Sequence, residues 1–272
     1  MRKCENESIR QPPRPLVLGH RGSAGLAPEN TLAGIRAAAR AGADGIEFDV
    51  QLSRDGVPVL IHDETLDRTT DGRGPVAART RSELKRLDAG VWFGPGFRRE
   101  RIPTLEEALR LAKRLGLRCY VELKNNRVSY PGLERKALAR LRRTGMLRRS
   151  WVASFNLASV ERVRRLAPRQ AVLWITPRAP GPALIRRLRR TGIGGVSILH
   201  LAATPDVAGR LRAAGLALQM WTVNRPPEIL RALRFRPEAI VSDRPDRAVR
   251  LRDGILGKTG TQRTTRTKET SD

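Results

Sequence analysis

Histidine and acidic residues follow three short apolar runs near the start of the chain. Runs of this length, bounded by Gly or Pro, are typical of buried strands. An apolar interior does not tolerate unpaired His, Glu or Asp, so each run is expected to carry them to an edge of the fold. The runs and the residues that follow them are 16–18 with Gly19-His20-Arg21-Gly22, 45–46 with Glu47-Phe48-Asp49, and 57–61 with His62-Asp63.

The acidic residues among these predict a metal site. Glu47 and Asp49 are two apart on one predicted strand, so their side chains point to the same side, and Glu122 ends a later strand. Three converging carboxylates repel each other unless a cation lies among them, and an all-oxygen set favours Ca²⁺ or Mg²⁺ over Zn²⁺. We therefore predict that Glu47, Asp49 and Glu122 bind a divalent cation. The alternative is that these acids form ion pairs with Arg21, Lys124 or Arg244.

The histidines predict proton transfer. Imidazole both accepts and donates a proton near neutral pH, and His20 and His62 each end a strand beside the predicted metal ligands. His200 also ends a predicted strand, but no carboxylate neighbours it in sequence. It is assigned either to substrate binding or to a structural hydrogen bond.

Cations beside these acids predict a phosphate-bearing substrate. Arg21 follows His20 and Lys124 follows Glu122 by two residues, so both could hold a phosphate alongside the metal. Trp221 ends its strand and is assigned either to substrate contact at the rim or to the core. The segment Glu29-Asn30-Thr31 is expected to begin a helix, with Asn30 or Thr31 as its cap.

The remaining chain alternates strands and helices, which predicts parallel strands joined by right-handed crossovers. Polar residues end nearly every strand. This favours a closed (β/α)8 TIM barrel, with its site at the carboxyl ends of the strands, over a doubly wound sheet with one crevice. A tight turn at 53–56 indicates that 57–61 returns as a hairpin rather than joining the ring. Further strands are predicted at 119–123, 151–154, 171–175, 196–199, 216–222 and 239–242, with helices near 132–143, 157–166, 183–190, 205–214 and 227–233.

Three boundaries follow from this pattern. Residues 1–14 are expected to form a flexible lead-in, residues 15–252 the barrel domain, and residues 253–272, polar and Thr-rich, a disordered tail. Residues 64–101 interrupt the strand–helix alternation. A segment of this length in a compact fold is usually functional or an inserted subdomain, so we predict an insertion after the strand that ends in His62-Asp63.

Composition favours one globular domain. The 272 residues are 40% hydrophobic, mean hydropathy is −0.41, and no apolar run approaches the ~18 residues of a membrane span. The first residues lack the apolar core of a signal peptide. Cys4 and Cys119 offer no disulfide framework, which suggests a reducing compartment. We therefore expect a cytoplasmic protein, whose oligomeric state stays open.

The formal net charge of +26 has two interpretations. Most arginines lie between Leu and Ala at amphipathic spacing, which is typical of solvated outer helix faces. The alternative is attraction to phosphate-bearing partners, an anionic membrane surface included. Aromatic residues are only 4% and do not alternate with basic ones, which argues against specific nucleic-acid binding. No glycine-rich nucleotide-binding loop follows a strand.

Taken together, the motifs resemble the glycerophosphodiester phosphodiesterase family, in that family's order from about residue 16 to 250. The resemblance implies a TIM barrel with 64–101 as the family's small insertion. The matching segments are Gly19-His20-Arg21-Gly22, Pro28-Glu29-Asn30-Thr31, Glu47-Phe48-Asp49, His62-Asp63, Asp67-Arg68-Thr69-Thr70, Glu122-Leu123-Lys124, Ser154-Phe155, Trp221-Thr222-Val223-Asn224 and Ser242-Asp243-Arg244-Pro245.

The resemblance also implies an activity and a set of roles. The activity is hydrolysis of glycerophosphodiesters to sn-glycerol 3-phosphate and an alcohol, with a divalent cation. The metal ligands would be Glu47, Asp49 and Glu122. The acid–base pair would be His20 and His62, and Arg21 and Lys124 would hold the phosphate.

Three other functions are weighed against this one. A lysophospholipase D would act on lipid phosphodiesters at a membrane, where the basic surface would matter. A non-catalytic phosphate-binding barrel would be expected to lack a site group, yet all of the proposed groups are present. A basic nucleic-acid binder would bind DNA with a steep salt dependence that does not require the site residues.

Overall fold

Eight parallel strands close into a barrel in the computed structural model, which describes residues 14–265 and the side chains of 14–255. The ring order is β1-β9-β8-β7-β6-β5-β4-β2, and β1 pairs with β2 to close it. This confirms the predicted (β/α)8 barrel. The strands are β1 (Leu16–Gly19), β2 (Gly45–Leu52), β3 (Pro58–Leu60), β4 (Arg118–Leu123), β5 (Ser150–Ser154), β6 (Ala171–Thr176), β7 (Gly195–Leu199), β8 (Ala217–Trp221) and β9 (Ala239–Ser242).

Helices cover the outside of this ring and bury its apolar face. Thr31 and Thr104 cap α1 and α3 through their side chains, and Thr104 forms a capping box with Glu107. The helices are α1 (Leu32–Arg40), α2 (Arg81–Leu84), α3 (Leu105–Arg114), α4 (Leu133–Thr144), α5 (Leu157–Leu166), α6 (Pro182–Arg190), α7 (Pro205–Ala213), α8 (Pro226–Arg234) and α9 (Pro245–Thr265).

Alternation along each strand divides the core in two. Val121 faces the helices, whereas Tyr120 belongs to a cluster made only of strand residues that fills the barrel. Glu122 is two residues beyond Tyr120 and therefore points the same way, toward the carboxyl end of the barrel interior. Because side chains alternate along the strand, Glu122 lies above the apolar cluster that fills the barrel interior.

Strand β3 lies outside the ring, as predicted. It pairs antiparallel with the end of β2, with Val50 opposite Leu60, after a turn at Gly56 with φ of +72°. This hairpin brings His62 back to the same rim that β2 reaches.

The segment after β3 forms a small layer with a core of its own. It contains α2 and two short 3₁₀ segments, Val76–Ala78 and Pro95–Phe97. Glu100 accepts a hydrogen bond of 3.2 Å from the backbone N of Ala33, so the layer contacts the start of α1. Its buried apolar residues are Val59, Ile61, Leu66, Val76, Leu84, Ala89 and Ile102.

The carboxyl-terminal helix α9 continues to Thr265, which differs from the disordered tail predicted from residue 253. Arg252, 2% exposed, binds Asp44 and the carbonyl of Pro15, and Asp253 binds Arg14 and Arg252. These ion pairs attach α9 to the barrel at the predicted boundary. The lead-in at 1–13 and residues 266–272 lie outside the described residues. Among residues 14–265, no helix combines the length and apolarity needed to cross a bilayer.

The end of strand β1 is closely packed at Gly19. A Cβ at this position would lie 1.7 Å from the carbonyl oxygen of Gly22. We predict that Gly19→Ala lowers the free energy of unfolding by more than about 2 kcal/mol, because the turn must move. Gly209→Ala in α7, where a Cβ meets no atom within 4 Å, should instead stabilise by up to about 1 kcal/mol. Urea unfolding measures both, and an unchanged midpoint for Gly19→Ala would contradict the packing.

Candidate active site

The three predicted metal ligands converge at the carboxyl end of the barrel. Glu47 and Asp49 lie on β2, and Glu122 on β4 is in register with Asp49. Each residue offers a carboxylate oxygen within 4.8 Å of those of the other two, and all three residues are buried. The pairing of two adjacent strands therefore assembles the cluster.

Crowding and burial shift the ionisation of these acids. Burial raises the pKa of Glu47 well above its ordinary value, and the charges of Asp49 and Glu122 raise it further. Burial together with the Asp49 charge raises the pKa of Glu122 to about 7. Burial also acts against ionisation of Asp49, but Lys124 and Arg21 outweigh it and lower its pKa to about 2. One acid is thus held ionised while its two neighbours favour protons.

This donor set fits a hard divalent cation. All donors are carboxylate oxygens, which Ca²⁺ and Mg²⁺ prefer. Glu122 Oε1 is buried and receives no hydrogen bond of normal geometry, although Lys124 Nζ lies 3.2 Å away. A cation among the three would satisfy this oxygen and remove the repulsion that keeps protons on the cluster.

Two of the three predicted cations reach the cluster. Arg21 Nε lies 3.5 Å from Asp49 Oδ2, and Lys124 Nζ lies 3.5 Å from Asp49 Oδ1. Arg244 binds Asp246 instead, at 2.7 Å. The ion pairs considered as an alternative to metal binding therefore form at Asp49 and, through Lys124, at Glu122, but two cations do not balance three carboxylates.

The Gly19–Gly22 turn positions Arg21. The residue has a φ of +49° and its backbone N donates to Glu47 Oε2 at 2.8 Å. Its Nη1 donates to Glu29 Oε1 at 2.8 Å. A non-glycine residue in this left-handed region is strained, and the bonds to two glutamates hold it there.

His20 belongs to a chain of hydrogen bonds that spans the closure of the barrel. Its Nδ1 contacts Asp243 Oδ1 at 2.6 Å, and Asp243 Oδ2 accepts from Asn224 Nδ2 at 2.6 Å. Burial opposes ionisation of Asp243, but the bonds from His20 and Asn224 lower its pKa. The other ring nitrogen, Nε2, lies 3.9 Å from Glu47 Oε2. Asp243 thus fixes the ring so that Nε2 faces the acidic cluster.

His62 has a similar arrangement. Its Nδ1 contacts Asp63 Oδ1 at 2.6 Å, and Asp63 Oδ2 accepts from Arg68 Nε at 2.6 Å. Burial lowers the pKa of His62, and the Arg21 and Lys124 charges lower it further against the opposing effect of Asp49 and Asp63. The ring is therefore neutral and able to accept a proton near pH 7.

The two other predicted substrate-contact residues lie in different surroundings. Trp221 packs edge-to-face on Phe155 with ring centres 5.6 Å apart, and its Nε1 donates to Ser197 O at 3.1 Å. This aromatic pair packs against the barrel-interior cluster. His200 is buried at the end of β7, where the charges that act on it are Glu228 and Arg231 of α8. No hydrogen bond among the described side chains joins it to the acidic cluster.

Several site residues had no role in the sequence interpretation. Glu29 receives Arg21 and both terminal nitrogens of Arg68, and Asn30 clamps Asp49 with two hydrogen bonds. Of the two caps expected for this helix, Thr31 is the one that caps α1. Glu29 and Asn30 lie within the motifs that carry the family resemblance, and so do Asp63, Arg68, Asn224 and Asp243. The sequence therefore contained a signal for all of them.

Known proteins share this sequence pattern. Residues 20–247 match the model of the glycerophosphoryl diester phosphodiesterase family. A glycerophosphodiester phosphodiesterase of Caldanaerobacter subterraneus is 36% identical over 236 residues, covering 87% of this chain and 97% of that protein. One of Bacillus altitudinis is 35% identical over 240 residues, covering 87% of this chain and 98% of that protein.

Solved structures share the fold. A phosphodiesterase of Oleispira antarctica, determined in complex with the product sn-glycerol-3-phosphate, superposes with a TM-score of 0.79 at 33% identity. The match covers 88% of this chain and 97% of that one. The span that matches the family model, residues 20–247, includes the whole acidic cluster and both histidine–aspartate pairs. The chain therefore belongs to the glycerophosphoryl diester phosphodiesterase family and is an enzyme of that class.

Proposed function

We propose that this enzyme hydrolyses glycerophosphodiesters to sn-glycerol 3-phosphate and an alcohol, with a divalent cation and the histidines as acid and base. The observation that carries the proposal is the convergence, at one barrel mouth, of three carboxylates within 4.8 Å of each other with two histidines on separate aspartates. The product bound to the Oleispira antarctica phosphodiesterase supports the choice of substrate.

Glu47, Asp49 and Glu122 would hold the cation. When bound, it would neutralise a phosphoryl oxygen and stabilise the charge of the transition state. Arg21 and Lys124 lie beside the same carboxylates, so we assign them to the remaining phosphate oxygens. Ca²⁺ and Mg²⁺ are both compatible with this donor set.

The two histidines would divide the proton transfers. We assign His62 as first base, because its lowered pKa keeps it neutral, and His20 as the acid. The glycerol 2-hydroxyl gives its proton to His62 and attacks phosphorus, while the bond to the alcohol breaks and His20 protonates the leaving oxygen. Water then opens the resulting cyclic phosphate with the two roles reversed.

A lipid diester is the second candidate substrate. The Phe155–Trp221 pair offers an apolar wall at the mouth that could hold an alkyl chain as readily as a polyol. A lysophospholipase D activity would use the same cation and the same histidines. A non-catalytic barrel is not favoured, because each histidine retains a hydrogen-bonded carboxylate partner.

The division of proton transfers can be tested with a leaving group that needs no protonation. We predict that His20→Ala lowers kcat/KM for glycerophosphocholine by about 10²–10⁴-fold but lowers that for glycerol phosphate p-nitrophenyl ester by less than about tenfold. His62→Ala should lower both by at least about 10²-fold. Steady-state kinetics with each substrate measures this, with unchanged thermal unfolding as the control for folding.

If instead His62→Ala spared the p-nitrophenyl ester and His20→Ala did not, the acid and base roles would be exchanged. Equal losses on both substrates in both variants would contradict separate acid and base roles. Phosphorus NMR during turnover tests the cyclic phosphate: its absence, together with turnover of a substrate lacking the 2-hydroxyl, would exclude attack by that group.

Cation binding should depend on pH through the acidic cluster. Since the pKa of Glu122 is raised to about 7, a cation must displace a proton below that value, and affinity falls as pH falls. We predict at least roughly tenfold weaker binding at about pH 6 than at about pH 8. Titration calorimetry in two buffers of different ionisation enthalpy also measures the proton release. Glu122→Gln should bind more weakly and release fewer protons, with Glu47 as the remaining source. A wild-type affinity independent of pH would contradict the raised pKa.

A further inference from the structure

A basic groove lies outside the catalytic mouth, between helices α7 and α8. Its volume is about 520 Å³ and three of its lining residues are arginines. The floor and walls are otherwise small or apolar. The residues that define this α7–α8 groove are Thr204, Pro205, Ala208, Arg212, Arg231, Arg234 and Phe235.

Backbone carbonyls position two of the arginines. Arg231 Nη2 donates to Ala203 O at 2.8 Å and its Nη1 to His200 O at 3.4 Å, while its guanidinium lies 5.8 Å from the centre of the Phe235 ring. Arg212 Nη2 donates to Phe235 O at 3.1 Å. These partners are neutral, so they orient the guanidinium groups without cancelling their charge.

Within the described residues, the arginines of the groove have no acidic partners, unlike some arginines of α6 and α7. Arg187 of α6 binds Glu161 at 2.8 Å, and Arg210 of α7 itself binds Asp206 at 2.7 Å. Within residues 14–255, by contrast, no salt bridge involves Arg212, Arg231 or Arg234. Three uncompensated positive charges therefore line one concave surface, and such a surface attracts anions.

The groove also adjoins the catalytic rim. The two carbonyls that hold Arg231 belong to the 3₁₀ segment His200–Ala202 and the residue after it, directly past β7. Leu201 in this segment is 68% exposed, and Leu230 beside Arg231 is 38% exposed. Exposed leucines next to unpaired arginines are typical of surfaces that meet the boundary between lipid head groups and acyl chains.

We propose that the α7–α8 groove binds the anionic head group of a membrane lipid and docks the enzyme on acidic bilayers. The arginines would contact the phosphate, and the apolar floor with the two leucines would contact the glycerol and upper acyl region. Nucleic acid is a poorer match, because the one aromatic ring of the groove lies under Arg231 instead of being open for base stacking. Docking here would bring the catalytic rim close to lipid substrates.

Vesicle flotation tests the proposal with the intact enzyme. We expect binding to vesicles of phosphatidylcholine with phosphatidylglycerol and none to phosphatidylcholine alone. Arg212→Gln with Arg234→Gln should weaken binding about 30-fold, because each arginine at an anionic surface contributes roughly fivefold. Arg234→Gln alone should weaken it about fivefold. Arg114→Gln with Arg165→Gln removes the same charge from exposed positions of α3 and α5 and should change binding less than about twofold.

Turnover of glycerophosphocholine should be unchanged in all of these variants, which shows that they fold. Equal weakening by the groove variant and its matched control would overturn the proposal in favour of diffuse surface charge. Absence of binding to acidic vesicles, or equal binding to both vesicle types, would also overturn it. So would a groove variant that loses binding to short duplex DNA while it retains binding to acidic vesicles.

Discussion

Mutual repulsion of three buried carboxylates is the constraint on which the rest of this site depends. Glu47, Asp49 and Glu122 present oxygens within 4.8 Å of each other, and burial favours the neutral form of each. Lys124 and Arg21 outweigh this at Asp49, whose pKa falls to about 2, whereas the pKa of Glu122 stays raised although Lys124 lies beside it. The site therefore keeps a deficit of positive charge, which a bound divalent cation would offset.

Around the acidic cluster, positively and negatively charged side chains alternate with increasing distance from it. Glu29 receives Arg21 from one side and Arg68 from the other, and Arg68 also binds Asp63, the partner of His62. Asn30 and Asn224 contribute neutral hydrogen bonds at Asp49 and Asp243. Each functional side chain is thus held by a partner that is itself held, which is what precise positioning at a reacting phosphate requires.

The sequence predicted the features that depend on the alternation of side chains along a strand and on the order of strands and helices. Alternation along β2 and β4 predicted that Glu47, Asp49 and Glu122 share a side, and the strand–helix order predicted the rim that collects the histidines. The turn at 53–56 predicted that β3 leaves the ring. These features are local, or follow from the handedness and closure of parallel sheets.

What sequence reasoning could not supply depends on contacts distant in the chain. Asp243 meets His20 across 223 residues, because β1 pairs with β9. The surroundings of His200 depend on the packing of α8, and the attachment of α9 to the barrel depends on the pairing of Arg252 with Asp44. The α7–α8 groove likewise depends on which arginines find carboxylates, and spacing along a helix does not reveal that.

The most direct test of the account is release of sn-glycerol 3-phosphate from glycerophosphocholine by the wild-type enzyme. It is measured in EDTA and again after Ca²⁺ or Mg²⁺ is restored, beside Glu47→Ala. The account predicts that release is abolished by EDTA, recovers with the cation, and is lost in Glu47→Ala under every condition. Full release in EDTA, or wild-type release by Glu47→Ala, would contradict it.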